Sequence, residues 1–321
     1  MDKANLIYNA CMRGQGGPAF PAVPDAGGDG GWRSYIKRDQ GDSVASMSQA
    51  YFEVTGTGDT LVPCSSADSL WGDGGQMRGS AVSGALARAV EQVVPPGPGG
   101  VARRPVRWRV DLFRPAAMAP CTAEATIVRA GRQVCLIDAV LRQDGREVAR
   151  AGALFLTETT APQGKVFSPR LDFVPPPPGM RPGSSEERLY YSEGVGWTPL
   201  PDPHQNERRK QVWLAPVRLV AAEEPSPFQL TAMATDVVNM VANWGEFGVE
   251  FINADASLVV SRLPAPGEGI GLAAEHRFAE DGIATGTAVV FDRAGAFGAV
   301  TVSAVASPGG AIDPRLIGVR R

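Results

Sequence analysis

The stretch Val106-Arg107-Trp108-Arg109-Val110-Asp111-Leu112-Phe113-Arg114-Pro115 decides how this chain is read. Its alternation puts Val106, Trp108, Val110 and Leu112 on one side, the pattern of a half-buried β-strand. A strand of the same kind recurs in the second half, from about Val249 to Ser261. There Ala254, Ala256, Leu258 and Val260 share a face, and the strand ends in Arg262-Leu263-Pro264 as the first ends in Arg114-Pro115.

The flanking segments fall into the same order. A helix is expected before each strand. The first runs from about Gly75 to Val94, with Val82, Leu86, Ala89, Val90 and Val93 at three- and four-residue steps. The second starts at Ser226-Pro227-Phe228-Gln229 and runs to about Asn243. Ser226 suits the cap, Pro227 the first helical position, and Gln229 the reach-back of a capping box. After the first quoted strand come strands at about Thr122 to Arg129, Gln133 to Arg142 and Glu147 to Thr157, with Asp144-Gly145 as a hairpin turn. Two further strands flank a turn near Ala294-Gly295 in the second half. Tyr51 to Pro63 and Tyr190 to Val220 supply the leading strands. Shared element order and shared face register make an internal repeat the better account than two unrelated domains. The expected organisation is an extension at 1–48, rich in Gly and Pro, and one unit at 49–160. A linker at 161–186 with Pro175-Pro176-Pro177-Pro178, a second unit at 187–310 and a tail at 311–321 follow.

Composition narrows the partners. The chain has 321 residues, 44% hydrophobic content and a net charge of -3, so nucleic acid is not an expected partner. No apolar run is long enough to span a bilayer, and the N-terminus does not read as a signal peptide. Cys11, Cys64, Cys121 and Cys135 form no Cys-x-x-Cys pair, which reads as reduced thiols in a cytoplasmic protein. With only His204 and His276 as histidines, no metal site is expected, and nothing calls for a cofactor. No Gly-x-Ser-x-Gly elbow is present, which argues against a serine hydrolase of the α/β class.

The chain resembles the double hot-dog acyl-CoA thioesterases, in the thioesterase II-like, actinobacterial branch. The matching stretches are Gly74-Gly75-Gln76, Val110-Asp111-Leu112-Phe113-Arg114-Pro115 and Arg129-Ala130-Gly131-Arg132. In the second half they are Phe251-Ile252-Asn253-Ala254-Asp255 and Phe291-Asp292-Arg293-Ala294-Gly295. The resemblance implies an α+β fold, a tandem hot-dog in which each unit is a long helix packed on a curved antiparallel sheet. It implies hydrolysis of a fatty acyl-CoA to free acid and CoA. Two fused units complete a hot-dog pair in one chain, and exposed sheet edges or faces leave room for a homo-oligomer.

Thioester hydrolysis needs an aimed water, a base for it and donors for the oxyanion. By the resemblance, the acid on the strand after the second helix is Asp255. The family's hydroxyl and amide positions fall near Arg277 and Ser303. Asp255 shares its expected face with Phe251, Asn253, Ser257 and Val259, as a residue on a solvated strand face also would. Asp236, Asn239 and Asn243 form a polar stripe along the second helix, where single hot-dog thioesterases often place a carboxylate facing the thioester; Asp236 is therefore the second catalytic candidate, the other reading being a solvated stripe. Gly75 and Gln76 are candidates for holding the thioester oxygen at a helix N-terminus, or simply for a tight turn. With two family positions changed, the alternative is a double hot-dog that binds an acyl-CoA or a protein partner without turnover. Enoyl-CoA hydration is disfavoured, since neither His204 nor His276 lies in a hydratase-like motif.

Overall fold

The computed structural model describes residues 50–56, 60–69, 75–183 and 187–316. Gly74 and the expected extension over 1–48 lie outside the described residues. The first half contributes β1 (Ala50–Thr55), β2 (Thr60–Pro63), α1 (Gly79–Val93), β3 (Arg103–Asp111), β4 (Cys121–Ala130), β5 (Val134–Gln143) and β6 (Arg146–Thr157). The second half opens with β7 (Arg188–Ser192), β8 (Gly196–Thr198), β9 (Lys210–Leu214) and β10 (Arg218–Val220). Its helices are α2 (Pro227–Thr235) and α3 (Val238–Asn243), followed by β11 (Trp244–Gly245) and β12 (Gly248–Val249). It closes with β13 (Phe251–Val260), β14 (Ile270–Glu280), β15 (Ile283–Asp292) and β16 (Gly295–Ala306).

Apart from the small β11–β12 pair, the described strands form one sheet in the order β10-β1-β2-β4-β5-β6-β3-β13-β16-β15-β14-β9-β7-β8. Read outward from the centre, the two halves show the same order, β3-β6-β5-β4-β2-β1 against β13-β16-β15-β14-β9-β7. The centre is the antiparallel pair β3–β13, with Trp108 opposite Leu258. Asp144 and Gly145 both carry positive φ, as the tight turn between β5 and β6 demands, and Asp281 and Gly282 do the same between β14 and β15.

The helices sit on one face of this sheet. α1 lies on β4, β5 and β6 and also against α2, while α3 lies on β13 to β16. α1 is therefore buried almost all round, not only along the stripe of Val82, Leu86, Ala89 and Val90. Its approach to α2 is close. A Cβ on Gly84 would lie 2.7 Å from Leu219 Cδ1 and 2.8 Å from Met233 Cγ. Trp108 of β3 fixes the contact from below. Its Nε1 donates to Ser83 Oγ at 2.9 Å, and Ser83 Oγ donates to Ala232 O at 2.6 Å. Phe228 meets the Trp108 ring edge-on at 5.5 Å.

Three expectations need correction. α1 begins at Gly79, not near Gly75. The backbone before it is already committed, since Met77 N–H donates to Ala116 O and Arg78 N–H to Ala67 O. The second helix is not continuous to Asn243. At Asp236 and Val237 the backbone stays right-handed, but Val237 N–H turns to Ala234 O, three residues back. Ser226 does cap, accepting from Gln229 N–H at 3.0 Å, yet the Gln229 side chain reaches Glu91 rather than back to Ser226. The segment before β7 carries no helix or strand over residues 158–183. It is also docked: Phe173 stacks on Phe291 at 4.6 Å, and Arg293 donates to Pro176 O.

A buried polar cluster joins β7, β8 and β9. Thr198 Oγ1 donates to Leu200 O, so it accepts from His204 Nε2–H, and Ser192 Oγ donates to His204 Nδ1. This is a neutral imidazole with both nitrogens satisfied. Burial, aided by the nearby Lys210 charge, pulls its pKa from 6.5 to about 4. The unfolded chain thus takes up a proton near pH 6.5 that the fold refuses until about pH 4. His204 contributes fully above pH 6.5, and that contribution fades as pH falls toward 4. The expected result in melting curves between pH 7.5 and 4.5 is a shallower acid-side fall for His204→Gln than for wild type. Parallel curves would contradict it. At the helix contact, Gly84→Val should cost about 1–3 kcal/mol by overpacking, read as a lower urea midpoint at unchanged slope.

Candidate active site

A groove of about 730 Å³ opens where the two halves meet. From the first half it is lined by the entry to α1 (Gln76 to Gly79) and the chain after β3 (Leu112 to Ala116). From the second it is lined by Asp236, Asn239, Met240 and Asn253. The chain after β16, Ser307 to Pro314, lies along it. That segment is strapped to β12 by reciprocal backbone hydrogen bonds between Val249 and Ile312, of 2.7 and 2.9 Å.

Two carboxylates line this groove, Asp236 and Asp313. Asp313 is taken up by an ion pair with Arg315 at 2.6 Å, which leaves Asp236 as the carboxylate of interest. It stands at the tightened turn between α2 and α3 and crosses to the N-terminus of α1. Its Oδ2 accepts from Ser80 Oγ at 3.1 Å and its Oδ1 from Asn253 Nδ2 at 3.0 Å. Gly79 makes the approach possible, since a Cβ there would lie 2.2 Å from Asp236 Oδ1. The first N–H groups of a helix have no internal partners, and the helix end carries partial positive charge. A carboxylate is therefore well placed here. The polar stripe of the second helix continues inward rather than into solvent. Asn239 Nδ2 donates to Phe251 O, Asn243 Nδ2 to Asn239 Oδ1, and Arg277 Nε to Asn243 Oδ1. The Arg277 guanidinium also lies 5.1 Å from the centre of the Phe251 ring.

The same contact recurs at the other helix end. Glu91 of α1 accepts from Ser226 Oγ at 2.7 Å and from Gln229 Nε2 at 2.8 Å, at the start of α2. Burial raises its pKa, and the two hydrogen bonds oppose that shift. Glu91 does not line the groove.

The other sequence candidates are scattered. Asp255 and Asn253 were expected to share a face, but the register of β13 against β16 shifts between them. This bulge inserts one residue, Ala254, whose carbonyl accepts from Leu112 N–H. Asn253 consequently turns toward Asp236, while Ala256, Leu258 and Val260 fill the core beyond the bulge. Asp255 falls with Ser257 and Val259 on the far face, where its Oδ1 accepts from Ser303 N–H at 3.0 Å. Asp255 and Ser303 are thus neighbours outside the groove, and Arg277 is on the helix side. Gln76 lines the groove. Gly75 lies four residues before α1, with positive φ and its N–H donating to Asp68 Oδ2. Sequence reasoning missed Ser80, the role of Asn253 and the tail segment. The pattern carried no mark of the first two, because each acts only through Asp236 from a distant element.

Among the described residues no helix is long and apolar enough to cross a membrane. Among curated proteins none matches the chain. Solved structures do. The tesB protein of Mycobacterium avium subsp. paratuberculosis is 16% identical, with a TM-score of 0.56 over 80% of this chain and 97% of its own. The acyl-CoA thioesterase II TesB2 of Mycobacterium marinum is 18% identical, with a TM-score of 0.52 over 71% and 88%. A conserved protein of unknown function with hot-dog fold, from Alicyclobacillus acidocaldarius, is 14% identical, with a TM-score of 0.55 over 79% and 95%. At such identities these likenesses speak for the fold. Two family models settle the relationship. Residues 67–156 match the acyl-CoA thioesterase N-terminal domain and residues 167–304 the C-terminal domain, together well over half of the chain. With these two thioesterase domains in tandem, the chain belongs to the acyl-CoA thioesterase family.

Proposed function

We propose that this chain hydrolyses acyl-CoA thioesters in the groove at the N-terminus of α1, with Asp236 as the group that orients and deprotonates the water. We read each half as a hot-dog unit, helix against curved sheet, with bounds at 49–160 and 187–310. The observation that carries the site is the Asp236 carboxylate, held by Ser80 and Asn253 on the wall of a groove lined by both halves. Two accepted hydrogen bonds fix its orientation and leave lone pairs for a water.

In the reaction the water oxygen bonds to the thioester carbonyl carbon while Asp236 takes its proton. Charge grows on the carbonyl oxygen, and the first-turn N–H groups of α1 face it with the positive end of the helix. Collapse breaks the carbon–sulfur bond. The proton held by Asp236 passes to the leaving thiolate, giving free acid and CoA. Asn239 and Asn243 hold α3 on the sheet through Phe251 O and Arg277, and so keep the turn that carries Asp236 in place. Asp255, on the far face, has no role in these steps.

The test is CoA release from a panel of acyl-CoAs by wild type, Asp236→Asn and Asp255→Asn. Asp236→Asn should lose about a hundredfold or more in kcat, the usual contribution of a general base. Asp255→Asn should stay within about twofold, as surface changes far from the reacting atoms do. The opposite ranking would move the site to the far face.

A further inference from the structure

The hydrogen bond between Ser80 Oγ and Asp236 Oδ2 divides two spaces. Asp236 faces the large groove, and Ser80 faces a second, much smaller and partly open pocket of about 30 Å³. Arg188 and Val237 line both, so the two spaces adjoin at the carboxylate. The apolar wall of the smaller one is Leu214, Val217, Leu230, Met233, Val237 and Ile270, and Glu187, Arg188 and Glu268 stand around its polar side. A thioester whose carbonyl carbon meets a water on Asp236 has two arms. The long pantetheine and nucleotide arm fits only the large open groove. The apolar arm is left with the space behind Ser80.

We infer that this small cavity is the acyl subsite and that it restricts the enzyme to short acyl groups, with Leu230 and Met233 as specificity-determining side chains. The inference rests on Asp236 as the group that aims the water. One water-sized sphere needs about 10–15 Å³ on this scale, so the cavity takes about two such groups beyond the carbonyl, acetyl to butyryl. Its walls do not yield easily. Leu230 and Met233 are buried, and Met233 is pressed against α1 at Gly84, where even a methyl group would lie 2.8 Å from its Cγ. A longer chain either displaces these side chains into a filled core, which overpacking opposes, or runs its apolar end out among Glu187, Arg188 and Glu268, which is unfavourable for a hydrocarbon.

The experiment measures CoA release from straight-chain acyl-CoAs, acetyl to palmitoyl, by the full chain as wild type, Met233→Ala and the milder Leu230→Val. Wild type should give its highest kcat/KM at two to four carbons and fall about tenfold or more by octanoyl, a discrimination typical of a methylene too many. Either variant should move the optimum to longer chains. A palmitoyl optimum in wild type, or an unchanged profile in both variants, overturns the inference while leaving hydrolysis at Asp236 intact. If no acyl-CoA is hydrolysed, the hydrolytic reading fails, and the subsite is judged by melting temperature with the same panel. Greatest stabilisation by the short acyl-CoAs, shifted to longer ones in Met233→Ala, supports it. A ranking that ignores chain length overturns it.

Discussion

From Asp255–Asp111 to Val259–Arg107, β13 and β3 pair backbone to backbone and make one sheet of two halves. The helices inherit their positions from this pairing. With Trp108 and Leu258 facing inward side by side, the two helix layers lie over the same floor, and α1 and α2 must share it. A slip of one residue in this register would turn one of the two side chains outward and leave half of the helix layer without a floor. The contact at Gly84, the Trp108–Ser83–Ala232 chain and the groove between the halves are consequences of that single seam.

The site follows from the same geometry. Where α1 begins, the second half has just tightened its helix, and the two events coincide at Gly79 and Asp236. An acid borrowed from one half completes the N-terminus of a helix in the other. The arrangement needs a glycine for room, a serine and an asparagine for aim, and a helix end for charge.

Most of the architecture was legible because alternation and turn chemistry are local. The four strands after α1 lie within a few residues of their expected bounds, and Asp144-Gly145 is a turn because both residues tolerate positive φ. What could not be read is what depends on distant partners. Phe251 to Val260 alternates without a visible break, so nothing announced that Ala254 bulges and sends Asn253 and Asp255 to opposite faces. The start of α1 was misplaced because Met77 and Arg78 bond to chain segments far from any helix pattern. Asp236 was visible as part of a polar stripe. It stood there as the second catalytic candidate behind Asp255; its partner Ser80 was hidden, being 156 positions away in sequence.

The Glu91 contact shows what the duplication has become. Asp236 and Glu91 each take a hydroxyl and an amide proton, and each belongs to one helix while meeting the start of another. Only Asp236 stands on the wall of the groove. In an assembly of two identical chains, every substitution appears twice, and both copies of a site must change together. A fused chain is released from that symmetry. Glu91 is free to serve as a structural rivet between α1 and α2 while Asp236 serves the proposed water site. With Asp236 as the proposed water site, the stoichiometry is one acyl-CoA per chain, although the scaffold was built in duplicate.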